Sequence, residues 1–237
     1  MKMLVLAGGF GTRLNSIMSE TPKALAPVDG IPFLYLQIKH WIAQGQTSFV
    51  FLLHHKADQI IEFLNGQKSG LLKECYVQWV VEPVPLDTGG AVAYAIQQLK
   101  LSDSFLLINA DTWLGTGLRE LSIAVAPAIA VTKVLDSSRY GRVQLKHQGV
   151  VNAFLEKSTI PISGFINAGL CHLNVNIFQN WDNKPFSLEK IIFPRLSESG
   201  TLTAVELDST FIDIGIPEDY NWFCRMVEEG RIGNLCS

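Results

Sequence analysis

The sequence predicts an α/β fold in which helices flank a central, mixed but mostly parallel β-sheet. In the first half of the chain, short apolar segments rich in β-branched and aromatic residues alternate with longer segments of helical periodicity. The short segments are continuously apolar, which is typical of parallel strands that are covered on both faces. Beyond about residue 129 the connections shorten, and the strands there are expected to extend the same sheet. We therefore expect one domain, 1–237, with a first half at 1–128 and a second half at 129–237.

Each predicted element rests on a local pattern. Strands are predicted from the apolar runs at Met3–Leu6, Ser48–Leu53, Val77–Val81, Phe105–Ile108, Ile129–Val134, Arg142–Leu145, Val150–Leu155 and Ile166–Leu173. Helices are predicted from the helical spacing of apolar residues at Pro32–Gln44, Ala57–Leu64, Gly90–Leu99, Ser187–Leu196 and Glu218–Glu228. Gly45 is a stop signal for the first helix, and Ser187 is expected to cap the N-terminus of the fourth.

The composition excludes several classes of function. The chain has 237 residues, of which 48% are hydrophobic, and a net charge of −3. An acidic chain without a basic stripe is not expected to bind nucleic acid. No apolar run approaches the ~20 residues of a membrane span, so no membrane partner is expected. The four cysteines are far apart and the N-terminus does not resemble a signal peptide, which favours a cytoplasmic location.

A glycine-rich loop directly after the first predicted strand is the clearest functional feature. Its sequence is Leu6-Ala7-Gly8-Gly9-Phe10-Gly11-Thr12-Arg13-Leu14, and Lys23 follows nine residues later. Glycines let a backbone approach a ligand closely, and a row of exposed N–H groups forms a concave anion site. Arg13 and Lys23 add positive charge, so the loop is predicted to hold a polyphosphate. The alternative is a tight strand-to-helix turn without a ligand.

Two better-known phosphate loops do not fit this segment. The dinucleotide-binding fingerprint requires a third glycine where this chain has Leu14, and its ribose-binding acid would fall near Asp29, in a turn. The P-loop requires Gly-Lys-Ser or Gly-Lys-Thr, and neither follows these glycines.

Two aspartates are candidate metal ligands. Asp111 follows the apolar strand Phe105–Ile108, and Asp213 lies within another apolar segment. A carboxylate in such surroundings needs a partner, which could be a helix cap or a salt bridge. Together with a phosphate site, two such carboxylates indicate Mg²⁺, which binds one or two carboxylates and phosphate oxygens. Because strand ends of an open α/β sheet form ligand sites, Asp111 and the glycine loop could share one site.

A stiff loop, Glu82-Pro83-Val84-Pro85-Leu86-Asp87-Thr88-Gly89-Gly90, follows the strand Val77–Val81. Its prolines stiffen the loop, and its glycines allow a ligand to approach the backbone closely. Such a loop is suited to forming one wall of a site that recognises the edge of a base. An ionised glutamate only accepts hydrogen bonds, so Glu82 matches the N1–H and N2–H₂ donors of guanine better than uracil. The alternative is an ordinary solvent-exposed glutamate in a turn.

Three short segments of the second half carry candidate sugar-phosphate ligands. They are Tyr140-Gly141-Arg142, Glu156-Lys157 and Asn167-Ala168-Gly169. A glutamate can bind vicinal sugar hydroxyls, and a lysine can meet a phosphate as a point charge. For Glu156 and Lys157, the alternative is a solvated strand end.

With these motifs assembled, the chain resembles the sugar-1-phosphate nucleotidyltransferase family. The family signature is matched by Leu6–Leu14 and by the Pro22-Lys23 pair. Further matches, in family order and over nearly the full chain, are Thr88–Ala91, Asn109–Asp111, Tyr140–Arg142, Glu156–Lys157, Asn167–Gly169 and Ile212–Gly215. The subgroup that it looks most like is the D-glycero-α-D-manno-heptose 1-phosphate guanylyltransferases. That likeness rests on Ala26–Phe33, Arg139–Val143, Phe186–Lys190 and Phe211–Tyr220.

The resemblance implies a single Rossmann-like, glycosyltransferase-A-like domain with a nucleotide-binding half (1–128) and a sugar-phosphate-binding half (129–237). The implied reaction transfers a nucleotidyl group from an NTP, GTP in particular, to a sugar 1-phosphate for surface polysaccharide synthesis, with Mg²⁺ as cofactor. Members of the family often self-associate, so a homodimer is an expectation. An acidic residue at Asp87 also resembles the N-acetylmuramate 1-phosphate uridylyltransferases. That enzyme, a mannose-1-phosphate guanylyltransferase and a non-catalytic nucleotide-sugar sensor are the alternatives.

The resemblance also assigns roles to residues. Catalysis is expected from Arg13, Lys23, Asp111 and Lys157. Nucleotide binding is expected from Leu6, Ala7, Gly8, Gly9, Gly11, Thr12, Arg13, Lys23, Glu82, Thr88, Gly89 and Asp111. Sugar-phosphate binding is expected from Tyr140, Gly141, Glu156, Lys157 and Asn167, and metal binding from Asp111 and Asp213.

Overall fold

The computed structural model of the chain describes residues 1–11, 20–155, 157 and 160–232. The predicted site residues Thr12, Arg13 and Glu156 lie outside this part. Its strands are β1 (Met3–Leu6), β2 (Pro27–Val28), β3 (Ile31–Pro32), β4 (Ser48–Leu53), β5 (Tyr76–Val81), β6 (Phe105–Asn109), β7 (Thr112–Leu114), β8 (Ala128–Val134), β9 (Arg142–Leu145), β10 (Val151–Leu155), β11 (Gly164–Leu173), β12 (Thr203–Glu206) and β13 (Phe211–Asp213). Its α-helices are α1 (Phe33–Ala43), α2 (Ala57–Gln67), α3 (Asp87–Leu99), α4 (Leu118–Ile123), α5 (Phe193–Glu198) and α6 (Pro217–Glu228). Of the helices described, none is long and apolar enough to cross a membrane.

One mixed sheet forms the centre of the molecule and contains nine of the described strands. Its main path has the order β10-β9-β11-β6-β1-β4-β5, while β8 pairs with both β11 and β12. The central strands β6, β1, β4 and β5 are parallel, whereas β11 is antiparallel to β6 and β8. The strands of the second half therefore continue the sheet of the first, as predicted.

The continuously apolar strands are explained by burial on both faces of the sheet. In β1, Met3 and Val5 belong to one hydrophobic core with α1 and α2, while Leu4 belongs to a second core with α3 and α5. Neighbouring side chains of a strand point to opposite faces, so a strand between two helical layers needs apolar residues at successive positions. The predicted sheet flanked by helices is confirmed.

Three helices differ from their predicted bounds by three residues or more. Helix α2 ends at Gln67, three residues after its predicted end. Helix α3 begins at Asp87, three residues before the predicted start. The predicted helix Ser187–Leu196 is a π-helical turn, Leu188–Ile192, that continues into α5. Ser187 caps it as expected, because its hydroxyl accepts a hydrogen bond from the Lys190 N–H at 3.3 Å.

A small two-stranded sheet that the sequence did not predict positions part of the site. Strands β7 and β13 pair antiparallel, with Asp213 opposite Thr112. The Ile214 N–H donates to the Asp111 carbonyl at 3.0 Å. Two aspartates that are far apart in the sequence are thereby held side by side.

Candidate active site

The glycine loop and Asp111 lie at the same edge of the sheet, as predicted. Leu6, the last residue of β1, is paired with Asn109, the last residue of β6. The Ala110 N–H donates to the Leu6 carbonyl at 3.0 Å and joins the two segments just beyond the strands. The parallel strands therefore deliver a backbone turn and a carboxylate to one place.

Lys23 lies between the two predicted aspartates, and these three residues are called the Lys23 cluster below. The Lys23 Nζ is 2.6 Å from Asp111 Oδ2 and 3.5 Å from Asp213 Oδ1. The lysine side chain is 11% exposed and that of Asp213 19% exposed, so bulk water screens the cluster only in part. One positive charge is thus held by two negative ones at the edge of the glycine loop.

Two glycines make room for the cluster. Gly11 has a φ of +63°, a conformation that glycine adopts easily, and a Cβ there would lie 3.3 Å from the Lys23 Cβ. A Cβ at Gly215 would lie 2.7 Å from Asp213 Oδ1 and 2.9 Å from Lys23 Nζ. The Gly215 N–H also donates to Asp213 Oδ1 at 2.8 Å, which orients this carboxylate toward the lysine.

The cavity beside the cluster has the character of a phosphate site. It has a volume of about 250 Å³, and its lining includes Ala7, Gly9 and Gly11 together with Lys23 and Asp111. Loop backbone and a lysine are the groups that proteins use to hold phosphate. We call this cavity the phosphate end of the site.

The residues of the cluster also fit a magnesium ion. Asp111 and Asp213 both contact the Lys23 Nζ, so their oxygens converge on one small volume. Two hard carboxylate ligands, completed by phosphate oxygens and water, are a donor set that Mg²⁺ prefers. The same two carboxylates that hold the lysine could therefore hold the ion.

A second cavity of about 490 Å³ adjoins the first and is called the base end. Both cavities are lined by Leu6, Gly9, Phe10 and Asp111, so they form one continuous cleft. The base end is further lined by Gly8, His54, Glu82, Pro85, Leu86, Asp87, Thr88, Ala91, Asn109 and Pro185. Its mainly apolar lining with a few polar groups is typical of a site for a flat organic ligand.

Glu82 is buried at the base end, so its interpretation as an ordinary exposed glutamate is wrong. The residue is 7% exposed, and its Oε2 accepts a hydrogen bond from the Leu86 N–H at 2.9 Å. Burial raises the pKa of the Glu82 carboxyl above its ordinary value, although the Leu86 hydrogen bond opposes the shift. A buried carboxylate at the wall of a cavity is a candidate for recognising a ligand.

Thr88 and Gly89 also have contacts within the protein, behind the base end. The Thr88 hydroxyl donates to Glu189 Oε2 at 2.8 Å and accepts from the Leu188 N–H at 2.9 Å. Gly89 is absent from the lining of the cleft as described, and a Cβ there would overlap the ring of Phe186. The absence of a side chain at Gly89 therefore makes room for the Phe186 ring, and the nucleotide-binding roles of Thr88 and Gly89 stay predictions.

The described residues of the predicted sugar-phosphate group, Tyr140, Gly141, Lys157 and Asn167, do not line the two described cavities. Asn167 Oδ1 accepts from the Gly169 N–H at 3.0 Å, and a Cβ at Gly169 would lie 3.0 Å from Asn109 Nδ2 at the base end. The Tyr140 ring packs edge-on against Phe211, two residues before Asp213, with 5.6 Å between the ring centroids.

The other two described residues of this group are Gly141 and Lys157. A Cβ at Gly141 would lie 3.2 Å from the Leu155 carbonyl oxygen, and Lys157 is exposed. The sugar-phosphate roles of all these residues stay predictions.

Several lining residues were not predicted as site residues. Asn109 lines the base end and could have been found, since it is the first residue of the Asn109–Asp111 motif at a strand end. Phe10 and His54 contact each other, with ring centroids 5.8 Å apart, but no sequence pattern connects them. Asp87 was noted only as a residue of the stiff loop.

Comparison with known proteins gives one family. The model of the family described as "Nucleotidyl transferase" matches residues 2–228 of this chain. A D-glycero-alpha-D-manno-heptose 1-phosphate guanylyltransferase of Campylobacter jejuni subsp. jejuni serotype O:2 is 31% identical over 225 residues, which cover 94% of this chain and 98% of that protein. A mannose-1-phosphate guanyltransferase of Gibberella zeae is 32% identical over 230 residues. These cover 93% of this chain but 62% of the fungal protein, so the chain spans less than two thirds of that relative.

Solved structures give the same fold. The crystal structure of HddC from Yersinia pseudotuberculosis, in complex with GMP-PN, has a TM-score of 0.81 and 32% sequence identity. The match covers 95% of this chain and 99% of that one.

Proposed function

The chain belongs to the nucleotidyl transferase family, and on that premise we propose that it transfers a guanylyl group from GTP to a sugar 1-phosphate. The observation that carries the proposal is the Lys23 cluster, which lies beside the glycine loop in a cleft continuous with the cavity of Glu82. D-glycero-α-D-manno-heptose 1-phosphate is the acceptor that we propose. The Campylobacter relative, which matches along 98% of its own length, supports this choice over mannose 1-phosphate.

The proposed reaction is an in-line displacement at the α-phosphorus of GTP. A non-bridging oxygen of the sugar phosphate forms a bond to that phosphorus as the bond to the bridging oxygen of the β-phosphate breaks. Pyrophosphate leaves with the bridging oxygen, and GDP-sugar is the other product. Positioning and charge stabilisation, without covalent help from the protein, suffice for such a transfer.

The predicted charged residues have distinct tasks in this proposal. The Lys23 Nζ leaves its carboxylate partners and stabilises the negative charge that develops around the α-phosphate. Arg13 neutralises the departing pyrophosphate, and Lys157 holds the phosphate of the incoming sugar. Asp111 and Asp213 would hold Mg²⁺, which would supply Lewis-acid polarisation of phosphate oxygens.

The remaining predicted residues orient the two substrates. The backbone of Gly8, Gly9, Gly11 and Thr12 holds the triphosphate and nucleoside, while Gly141, Glu156 and Asn167 orient the sugar. Glu82 accepts from the N1–H side of guanine with its Oε1. That atom has no hydrogen-bond partner among the described residues.

A pyrophosphate-release screen of four NTPs against a panel of sugar 1-phosphates tests the proposal. We expect release with GTP and the heptose 1-phosphate, and slower release with GTP and mannose 1-phosphate. Release with UTP and not GTP would show a uridylyltransferase instead. Binding of GTP in calorimetry without release in any pair would contradict the proposal and would favour the nucleotide sensor.

We also propose a cytoplasmic location and a role in surface polysaccharide synthesis. Free thiols at Cys75, Cys171 and Cys224 support a reducing compartment. Formation of a homodimer stays a prediction.

A further inference from the structure

Arg142 is a half-buried arginine at the start of β9 whose buried nitrogen has no partner. Its Nε is inaccessible to solvent and makes no hydrogen bond. No acidic side chain of the described residues forms an ion pair with its guanidinium. An arginine stays charged at every pH, and a buried donor without an acceptor is costly, so an unpaired one calls for an explanation.

Arg139, three residues earlier, shows what a structural arginine of this segment is like. Its Nη1 is 2.6 Å from Asp219 Oδ2 in the first turn of α6. Its guanidinium also lies over the Tyr140 ring, 5.3 Å from the ring centroid. Contacts within the protein therefore account for Arg139, whereas the described residues offer Arg142 no counter-charge.

The strand register places Arg142 among the three segments that the sequence assigns to the sugar phosphate. Arg142 itself ends the first of these segments. On one side it pairs with Leu155 of β10, two residues before Lys157. On the other side it pairs with Ile166 of β11, directly before Asn167. The arginine with the unpaired donor thus lies where these segments meet.

The stem of the Arg142 side chain packs against a glycine of the neighbouring strand. A Cβ at Gly164 in β11 would lie 3.1 Å from Arg142 Cδ and 3.5 Å from Arg142 Cγ. The absence of a side chain at Gly164 therefore makes room for the stem. A stem that is already packed loses little freedom when its head group binds a ligand, which favours binding.

The chemistry of this position suits a phosphate. A guanidinium presents its N–H donors in a planar fork that matches two phosphate oxygens, and it prefers an anion when it is withdrawn from water. A phosphate monoester carries about −1.5 to −2 charges at pH 7. Lys157, near the partner strand of Arg142, adds a second positive charge on the same side of the sheet order.

We propose that Arg142 binds the phosphate of the acceptor sugar 1-phosphate through its Nε and a terminal nitrogen. This inference rests on the proposed function, since it concerns the second substrate of that reaction. It adds to the predicted sugar-phosphate residues a side chain that was noted only as part of a motif. The role is binding of the acceptor, so the nucleotide should bind independently of Arg142.

Arg142→Met is the variant that isolates the inference, because methionine retains an unbranched stem and removes every donor. Nε makes no hydrogen bond in the protein, so the variant should be at least as stable as the wild type in urea unfolding. Arg142→Lys keeps the charge and removes the fork. Arg195→Met is the matched control, since Arg195 is an exposed arginine of α5 that is absent from the described lining of the cleft.

Binding is measured by titration calorimetry, so that no reaction is required. The protein is first saturated with Mg²⁺ and an α,β-methylene analogue of GTP, whose bridge to the β-phosphorus cannot break. D-glycero-α-D-manno-heptose 1-phosphate and mannose 1-phosphate are then titrated separately. The affinity for the GTP analogue is measured in the same way without a sugar phosphate.

We expect Arg142→Met to weaken both sugar 1-phosphates by on the order of tenfold or more, as for hydrogen bonds to a charged group. The two factors should be alike, because both sugars carry the same phosphate, and the affinity for the GTP analogue should not change. Arg142→Lys should recover part of the loss, and Arg195→Met should match the wild type.

Three results would overturn the inference. They are an unchanged affinity of Arg142→Met for the sugar 1-phosphates, a loss for the heptose 1-phosphate alone, and an equal loss for the GTP analogue. A less stable Arg142→Met protein with wild-type affinities would show that the arginine is structural.

The proposed function can fail independently of this inference. If the affinities follow the expected pattern but GTP and the sugar 1-phosphates give no pyrophosphate release, the role of Arg142 stands and the transfer reaction is wrong. If release occurs but Arg142→Met keeps the wild-type KM for the sugar 1-phosphate, the reaction stands and the role of Arg142 is wrong.

Discussion

The two ends of the cleft hold acidic residues in different ways. At the phosphate end, Asp111 and Asp213 surround Lys23, so their charge is partly compensated within the protein. At the base end, Glu82 and Asp87 are each tied to a backbone N–H, and no lysine or arginine belongs to the lining as described. The phosphate end is therefore suited to replacing one charged partner of a carboxylate or lysine by another. The base end is suited to accepting hydrogen bonds from the uncharged edge of a base. Substitutions at the first end should therefore affect turnover with every substrate, and substitutions at the second should change which base is used.

The largest effect is expected from Lys23→Ala, which removes the only cation of the Lys23 cluster. We expect the turnover number to fall by about 100-fold or more, the usual consequence of losing a group that stabilises transition-state charge. The loss should be similar with every NTP that the wild type accepts. Pyrophosphate release under saturating substrates measures it, and circular dichroism shows whether the variant is folded.

Lys73→Ala is the matched control, because Lys73 is a surface lysine that is 72% exposed and 3.9 Å from Glu74. Its turnover should equal that of the wild type. A folded Lys23→Ala protein with near-normal release would remove Lys23 from the reaction and with it the contrast between the two ends.

The next effect concerns the wall of the base end. A Cβ at Gly89 would overlap the Phe186 ring, so Gly89→Ala must displace a side chain that packs in the second core. We expect a loss of about 1–3 kcal/mol in the free energy of unfolding, as for other overpacked positions. Urea unfolding followed by tryptophan fluorescence measures it.

Gly66→Ala is the matched control, because a Cβ at Gly66 in α2 would have no other atom within 4 Å and so would displace nothing. Gly66→Ala should stabilise the protein by about 0.5–1 kcal/mol through helix propensity. If Gly89→Ala and Gly66→Ala had the same free energy of unfolding, Phe186 would not form a fixed wall behind the base end.

A smaller effect is expected from pH at the base end. Burial raises the pKa of Glu82, so its carboxylate becomes protonated at a higher pH than an ordinary glutamate. Protonation removes an acceptor for N1–H, and the affinity for GTP should therefore fall as the pH is lowered through this raised pKa. Calorimetric titrations across a pH series measure the fall, and Glu82→Gln should abolish the part that this carboxyl causes.

The same shift gives a stability prediction of definite sign. The native state binds the Glu82 proton more tightly than the unfolded chain does, so the carboxyl favours folding at low pH and this contribution is lost as the pH rises. The stability of Glu82→Gln relative to the wild type should therefore increase with pH. A constant difference across the series would contradict the raised pKa.

The fold and the phosphate end could largely be predicted from the sequence, whereas the base end could be predicted only in part. Continuous apolar strands such as Ser48–Leu53 carry a strong local signal, because burial on both faces leaves no room for polar residues. Asp213 could be named as a candidate, but its place beside Asp111 depends on three-residue strands too short to predict. The burial of Glu82 and the position of His54 depend on contacts between loops that no periodicity records.

The most direct test of the central claim follows the label of radioactive GTP. The protein is incubated with Mg²⁺, D-glycero-α-D-manno-heptose 1-phosphate and GTP that carries ³²P at the α- or the γ-position. If the sugar phosphate attacks the α-phosphorus, the α-label enters the GDP-sugar and the γ-label enters pyrophosphate. Recovery of the γ-label on the sugar, or of both labels in unreacted GTP, would contradict the account.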